Sequence, residues 1–406
     1  MNRFLTTTTF GLALIATGVS AAHAEGLQPA FGALRESRPI IDLRLRSETV
    51  DQQGMAEDAE AMTLRGRLGF ETGKAWNTTL LAEADLLWPW DTHYNSTVNG
   101  KTGYPVVADA ETYEVNRLQL TNTSIANTTI TLGRQRINLD DQRFVGNVGW
   151  RQNEQTYDGL RVVNRSIRNL TIDVTYFDQV NRVFGRESPV GRFHGSSYLT
   201  NVAYQLRPTL KVTGFAYLTS FDEAPRDSAE TVGVRLSGDQ PVSKVKLAWF
   251  ASFARQTERA NNPLDFDQKF YTAEVTGTFR QYSLGAGYEM LDGNGVRGFS
   301  TPLATLHKFD GWADKFLTTP PNGLERRYVT AGYTKKGLGI LDTVSATAVY
   351  HDFNSDRLGI DYGSEVDLQL TAKYRRFNLL LKYADYNADT FATDTDKYWL
   401  QIDYVW

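Results

Sequence analysis

The last nine residues, Tyr398-Trp-Leu-Gln-Ile-Asp-Tyr-Val-Trp406, alternate with period two: Tyr398, Leu400, Ile402, Tyr404 and Trp406 fall on one side, Gln401 and Asp403 on the other. Successive side chains of a strand point to opposite faces, so one face of this segment wants apolar surroundings and the other wants water. An aromatic end residue on such a strand suits the closing strand of an outer-membrane β-barrel, whose apolar side chains face lipid and polar ones the lumen. A soluble edge strand has the same pattern, so the reading depends on whether the rest of the chain repeats it.

The rest of the chain does. Ile41, Leu43 and Leu45 oppose Asp42, Arg44 and Arg46; Leu64, Leu68 and Phe70 oppose Arg65, Arg67 and Glu71; Ala82, Ala84 and Leu86 oppose Glu83 and Asp85. Later, Leu170, Ile172, Val174 and Tyr176 oppose Thr171 and Asp173, and Val245, Leu247 and Trp249 oppose Lys244 and Lys246. Val366, Leu368, Leu370, Ala372 and Tyr374 face away from Glu365, Asp367, Gln369, Thr371, Lys373 and Arg375. About 18 such segments follow one another, each near the ~9–11 residues a tilted strand needs to cross a bilayer, and bacterial barrels have even strand numbers.

Connections support the same architecture, because a barrel alternates long external loops with short internal turns. Short connections fall near 73–76, 122–127, 165–168, 207–208, 238–241, 280–281, 335–339 and 375–376. Long ones fall near 50–60, 91–110, 138–154, 179–195, 221–226, 256–267, 292–325, 353–363 and 387–396. The expected fold is therefore all-β, a transmembrane antiparallel barrel of about 18 strands spanning residues 38–406 as one domain.

Ahead of it, Met1 to Ala24 has a basic start at Arg3, an apolar stretch from Phe10 to Val19 and a small-residue site, Ala22-His-Ala24, the pattern of a cleavable secretory signal. Residues 25–37 are then expected as a short periplasmic segment. Loss of the signal leaves 42 basic and 47 acidic residues, a net charge of −5, which is not the balance of a nucleic-acid binder. With no cysteine, neither a disulfide scaffold nor a thiolate metal site can form.

The densest polar stretch is Gly133-Arg-Gln-Arg-Ile-Asn-Leu-Asp-Asp-Gln-Arg-Phe144, followed by Trp150-Arg-Gln152 and Tyr157-Asp-Gly159. It resembles the alginate-export family of outer-membrane porins, and Leu306-His-Lys-Phe-Asp-Gly-Trp-Ala-Asp-Lys-Phe316 resembles that family's other recognisable segment. The resemblance implies an 18-stranded barrel with an arginine-rich constriction passing an acidic polysaccharide. This chain is shorter than the exporter and lacks a long periplasmic turn that could serve as a plug, a departure that points towards smaller solutes.

Read by themselves, Arg44, Arg46, Arg65, Arg67, Arg117 and Arg161 fall at inner-face positions of the first six segments, as a ladder on one wall, and Lys373 falls on the inner face near the end. Guanidinium forks match carboxylates bidentately, and a low-dielectric lumen focuses the field on anions. The competing reading is a structural charge network with Asp42, Glu71, Glu83 and Asp85, as in ordinary diffusion pores. Arg134 and Arg136 share parity with Leu132 and would face lipid unless a bulge at Gly133 or the strand end intervenes. Asp140 and Asp141 form either a calcium site with loop carbonyls or a solvated turn.

In the longest loop, His307 and Lys308 are expected to fold the loop or touch sugar, and Trp312 with Phe309 and Phe316 to pin the loop or offer an apolar platform to sugar rings. Trp88, Trp90, Trp249, Trp399 and Trp406 are assigned to interface girdles. Only His93, His194, His307 and His351 follow the signal, with no HExxH and no GxSxG, so an enzyme is the minority class. The sequence favours a passive channel for acidic saccharides or other small organic anions, needing no cofactor or metal, surrounded by outer-membrane lipid and delivered to the barrel assembly machinery through its last strand. A general diffusion porin and an outer-membrane enzyme or adhesin are the alternatives.

Overall fold

The computed structural model describes residues 21–406, with side chains from residue 27 onward, so the signal segment lies largely outside the described residues. A helix, α1 (Ala21–Arg35), precedes the strands. It runs from the end of the expected signal through most of the segment 25–37, and it is tied to the barrel's short-turn end: the Gly73 amide donates to the Ala33 carbonyl at 2.9 Å.

Eighteen strands follow. The first six are β1 (Arg38–Gln52), β2 (Ala59–Glu71), β3 (Thr78–His93), β4 (Thr112–Asn122), β5 (Thr128–Gln135) and β6 (Thr156–Asn164). The middle six are β7 (Leu170–Asn181), β8 (Arg192–Arg207), β9 (Leu210–Leu218), β10 (Ala229–Val242), β11 (Val245–Glu258) and β12 (Asp267–Phe279). The last six are β13 (Tyr282–Leu291), β14 (Leu324–Leu338), β15 (Leu341–Asn354), β16 (Asp361–Tyr374), β17 (Phe377–Ala388) and β18 (Thr395–Val405). Every strand pairs antiparallel with its neighbour in sequence, and β1 pairs with β18 from Asp42↔Val405 to Gln52↔Thr395, which closes the sheet.

Parity decides which side is out. Leu43, Leu68, Leu86, Val174, Leu368, Leu370, Leu400 and Ile402 are exposed, whereas Arg46, Arg65, Arg67, Glu83, Asp85 and Asp367 are buried. A soluble sheet would bury the first set. An exterior of apolar side chains around a closed ladder, which leaves no backbone edge unpaired, is the arrangement a bilayer requires.

The connections alternate as expected, with two shifts of position. Strand β10 runs through Gly238 and Pro241, and its turn lies at Ser243-Lys244, because Pro241 sits opposite Lys246 at the strand's end, where its missing amide costs little. Likewise Lys335 and Lys336 belong to β14, and the turn follows at Gly339-Ile340. Trp88, Trp90 and Trp406 are exposed girdle residues, but Trp399 is buried inside the barrel, since its parity is that of Gln401. Its indole meets Trp150 edge-on at 5.6 Å.

Two external loops depart from the mouth and fold into the lumen: the third (136–155) and the seventh (292–323). Val145 bridges to Leu303, the Gly146 amide donates to the Leu303 carbonyl at 2.8 Å, and the Thr305 amide to the Gln142 carbonyl at 3.1 Å. Phe144 packs its ring among Phe215, Tyr217, Phe270 and Phe299, so part of the inner wall is an apolar core shared between strands and loops.

Candidate functional site

The first four strands set the arginines by register. Arg44 stands opposite Arg65, Asp42 opposite Arg67, Arg67 opposite Asp85, and Glu83 opposite Arg117. Directly opposed residues share a face, so these positions make one continuous charged wall. The register puts these arginines on one face with carboxylates interleaved among them.

Each of the eight arginines named from the sequence has a carboxylate partner. Arg44 Nε lies 2.7 Å from Asp403, Arg46 Nη1 3.8 Å from Asp109, Arg67 Nε 3.0 Å from Asp85, and Arg117 Nη2 2.6 Å from Glu83. Arg65 pairs with Asp42, and Arg161 with Asp173 at 2.5 Å. Arg136 pairs with Glu154 and, at 3.3 Å, with Glu83. Arg134 pairs with Asp158 at 2.7 Å.

The last of these stands apart from the wall. Pairing stays continuous through Gly133, so no bulge reverses the parity; Arg134 lies opposite Leu118, which is exposed on the outer face, one residue before β5 ends. The strand end resolves the conflict, and Arg134 belongs to the outer face rather than to the pore lining. Gly133 itself has φ +110, and a Cβ there would lie 2.3 Å from the Leu118 carbonyl, so this twist needs glycine. Two residues on, just past the end of β5, Arg136 turns inward to Glu83 and Glu154. Lys373 is exposed at the short-turn end of β16, across from Asn378, away from the other basic residues.

The wall also holds the third loop. Arg44 Nη1 donates to the carbonyls of Gly149 and Trp150, each at 3.2 Å, Arg46 Nη2 to the Trp150 carbonyl at 2.6 Å, and Arg67 Nη2 to the Gln152 carbonyl at 3.2 Å. After these bonds, Nη1 of Arg46 and both Nε and Nη1 of Arg65 remain buried without an acceptor among the described residues. Buried guanidinium donors left in this way are costly, and the nearby carboxylates of Asp109 for Arg46 and Asp42 for Arg65 offset part of that cost.

The two sequence blocks that carried the family resemblance prove to be one assembly. Arg143, fully buried, meets Glu289 of β13 and Asp310 of the seventh loop, each at 3.0 Å, and its guanidinium lies 5.0 Å over Phe309. Trp150 stacks on His307 at 4.3 Å with the rings 2° apart. His307 Nδ1 bonds Asp314 at 2.8 Å, and Arg151 joins Glu48 to Asp314 at 3.1 and 2.9 Å. Burial pushes the His307 imidazole well below its usual range, while the hydrogen bond from His307 and the charges of Lys397 and Arg151 hold Asp314 well below the usual carboxylate range against the burial that raises it.

These contacts decide the loop residues. His307 folds the loop. Lys308 is exposed and donates to the Asp141 carbonyl at 2.8 Å. The face of Trp312 is taken by Lys382 Nζ, 3.7 Å from the ring centroid, which leaves less of it for a sugar platform. Asp140 accepts from Asn201 at 2.8 Å and Asp141 pairs with Arg235 at 2.8 Å, so the two carboxylates pin the loop to the wall in different directions instead of converging as a calcium site would need. Arg143, Arg151, Lys315, Lys382 and Lys397 were not singled out from the sequence. Arg143, Arg151 and Lys315 stood inside the quoted blocks; Lys382 and Lys397 had no local signal.

Above the wall, at the long-loop mouth, a cavity of about 490 Å³ is lined by Lys315, Lys397, Arg151 and Arg182 with Tyr104 and Phe184. Lys315 Nζ donates to Gln52 at 3.1 Å, and burial together with the nearby Lys397 lowers its pKa to about 8.

No family model matches the chain and no curated protein matches it. Solved structures do. Over 92% of this chain and 100% of its own, OpdK from Pseudomonas aeruginosa, solved with vanillate, superposes with a TM-score of 0.72 at 14% identity. OccAB4 from Acinetobacter baumannii gives 0.69 at 16% identity, covering 91% of this chain and 98% of that one. OpdQ from Pseudomonas aeruginosa gives 0.68 at 16%, covering 93% and 99%. At these identities the likeness establishes the fold, that of outer-membrane porin barrels, and its members here are Occ and Opd proteins rather than alginate exporters.

Proposed function

We propose that the chain is a passive outer-membrane channel for small organic anions, acidic saccharides among them, with no catalytic step. The observation that carries this reading is the concentration of guanidinium groups on one wall at the level of the third loop, where Arg44, Arg117, Arg136 and Arg161 keep part of their side chains accessible. A carboxylate crossing there meets planar, preorganised forks in a low-dielectric surround. The likeness to a barrel solved with vanillate, itself a carboxylate, supports the same cargo chemistry. Arg44, Arg46, Arg65, Arg67, Arg117, Arg136 and Arg161 are the proposed lumen set, and β18, ending in Trp406, the strand offered to the assembly machinery.

One observation favours a second reading, a general diffusion porin: every one of these arginines has a carboxylate within 4 Å, so the wall's signs come close to cancelling. Swelling of proteoliposomes separates the two. In isotonic solutions, the channel reading predicts faster entry of sodium galacturonate than of galactose, which has the same ring without the charge. Equal rates, or faster entry of the neutral sugar, would establish the diffusion porin.

A further inference from the structure

The cavity at the mouth has a second lobe. A neighbouring space of about 290 Å³ is lined by Arg226 and Arg297, and Arg182, Leu306 and Leu317 line both spaces. The two are one basin with a cationic group at each end and an apolar floor between. The larger lobe lies within the roughly 300–1,000 Å³ of ordinary small-molecule sites.

The charges here differ in kind from those of the wall below. Lys315, Arg182 and Arg297 have no carboxylate at ion-pair distance among the described residues. Arg182 donates to the Val190 carbonyl at 3.0 Å and lies 4.2 Å over Phe193; Arg297 donates to the Arg226 carbonyl at 2.8 Å and lies 3.8 Å over Phe266. Of the carboxylates on the basin's lining, Asp314 is held by Arg151, His307 and Lys397, and Asp227 accepts from Ser300 at 2.9 Å. Guanidiniums half-withdrawn from water onto aromatic rings keep their charge; Asp227 is the nearby opposite charge for both Arg182 and Arg297 but makes no ion pair with either, and with the cations of the lining outnumbering Asp227 and Asp314 the basin, unlike the wall, is a place of net positive potential.

We propose that this basin captures organic dianions, molecules with a carboxylate towards each end of a ring-bearing spacer, before they pass to the arginine wall. One carboxylate is received by Arg182 and Arg297, the other by Lys315 and Lys397, and the spacer lies on Leu306 and Leu317. Two cationic lobes on a common floor select for two charges, since a monoanion leaves one lobe uncompensated. The inference rests on the channel reading above and adds to it a binding step at the loop side.

Single-channel recording in planar bilayers tests it, with digalacturonate as probe and galacturonate as the one-charge control. Digalacturonate added on the long-loop side should interrupt the current with an apparent affinity about tenfold above that of galacturonate, a difference of ~1.4 kcal/mol, and should act from the other side only weakly. R182Q should lose most of that difference, and R297Q and K315Q, both on the seventh loop rather than the loop that carries Arg182, should each reproduce the loss if R182Q fails to insert. Equal affinity for the two acids, block indifferent to side, or wild-type block in inserted R182Q and K315Q channels would overturn the proposal. A wild-type pore that shows one-sided digalacturonate block yet no preference for chloride over potassium would instead overturn the arginine-wall reading and leave the basin standing.

Discussion

Single residues hold the loops in the lumen, and Gly311 shows how little slack they have. Its φ is +85, and a Cβ there would lie 2.2 Å from Glu365 Oε2, while the next-but-one amide, Ala313, donates to Glu365 Oε1 at 2.7 Å. The tip of the seventh loop thus docks its backbone against the Glu365 carboxyl of β16, and a side chain at 311 would both strain the left-handed backbone and displace that carboxyl. Gly311→Ala adds left-handed strain of ~1–3 kcal/mol on top of the clash, so the docked tip should be depopulated about tenfold or more while the barrel stays closed. Single-channel traces of G311A should show frequent excursions to a higher conductance. A steady wild-type conductance would mean that the tip does not restrict the pore.

Elements were the most legible scale, because a strand that faces lipid on one side and water on the other writes its period directly into the sequence. The alternation of Leu43, Leu45 against Arg44, Arg46 is local, and so were the long and short connections. Two turns were misplaced because Gly238 and Pro241, and Lys335 and Lys336, look like turn chemistry yet lie in the final rungs of β10 and β14, where solvent satisfies what the ladder does not. What the sequence hid was the infolding of the loops. The bond from Arg44 to the Trp150 carbonyl joins residues 106 apart, and that from Arg143 to Asp310 residues 167 apart, and no periodicity reports such contacts. Strand β18 pairs along its length with both β17 and β1. Deleting 398–406 should therefore leave two open edges whose backbone groups, each costing several kcal/mol in lipid, block insertion. The test is heat-modifiable migration on a gel: full-length protein should run faster unboiled, the deletion should not, and a heat-modifiable deletion would show that β18 does not close the barrel.

For the whole molecule, the central claim is that a chain of net negative charge makes a pore that prefers anions, through where its cations sit rather than how many there are. Arg67 is a poor probe of this, since it compensates buried Asp85 and Glu154, and breaking such pairs costs ~3–5 kcal/mol. Arg117 and Arg161 are better: both are part-exposed, neither donates to the third loop's backbone, Glu83 keeps Arg136 when Arg117 is replaced, and a glutamine at 161 can still donate to Asp173. The most direct measurement is the zero-current potential across a bilayer with a KCl gradient, for wild type and R117Q/R161Q, at low and high salt. Wild type should prefer chloride, and the double variant should lose part of that preference. The difference should be largest in dilute salt, where the screening length is ~30 Å rather than the ~3 Å of 1 M. A wild-type pore that prefers potassium, or a double variant with unchanged potential at low salt, would contradict the account and leave the arginines as structural partners of their carboxylates.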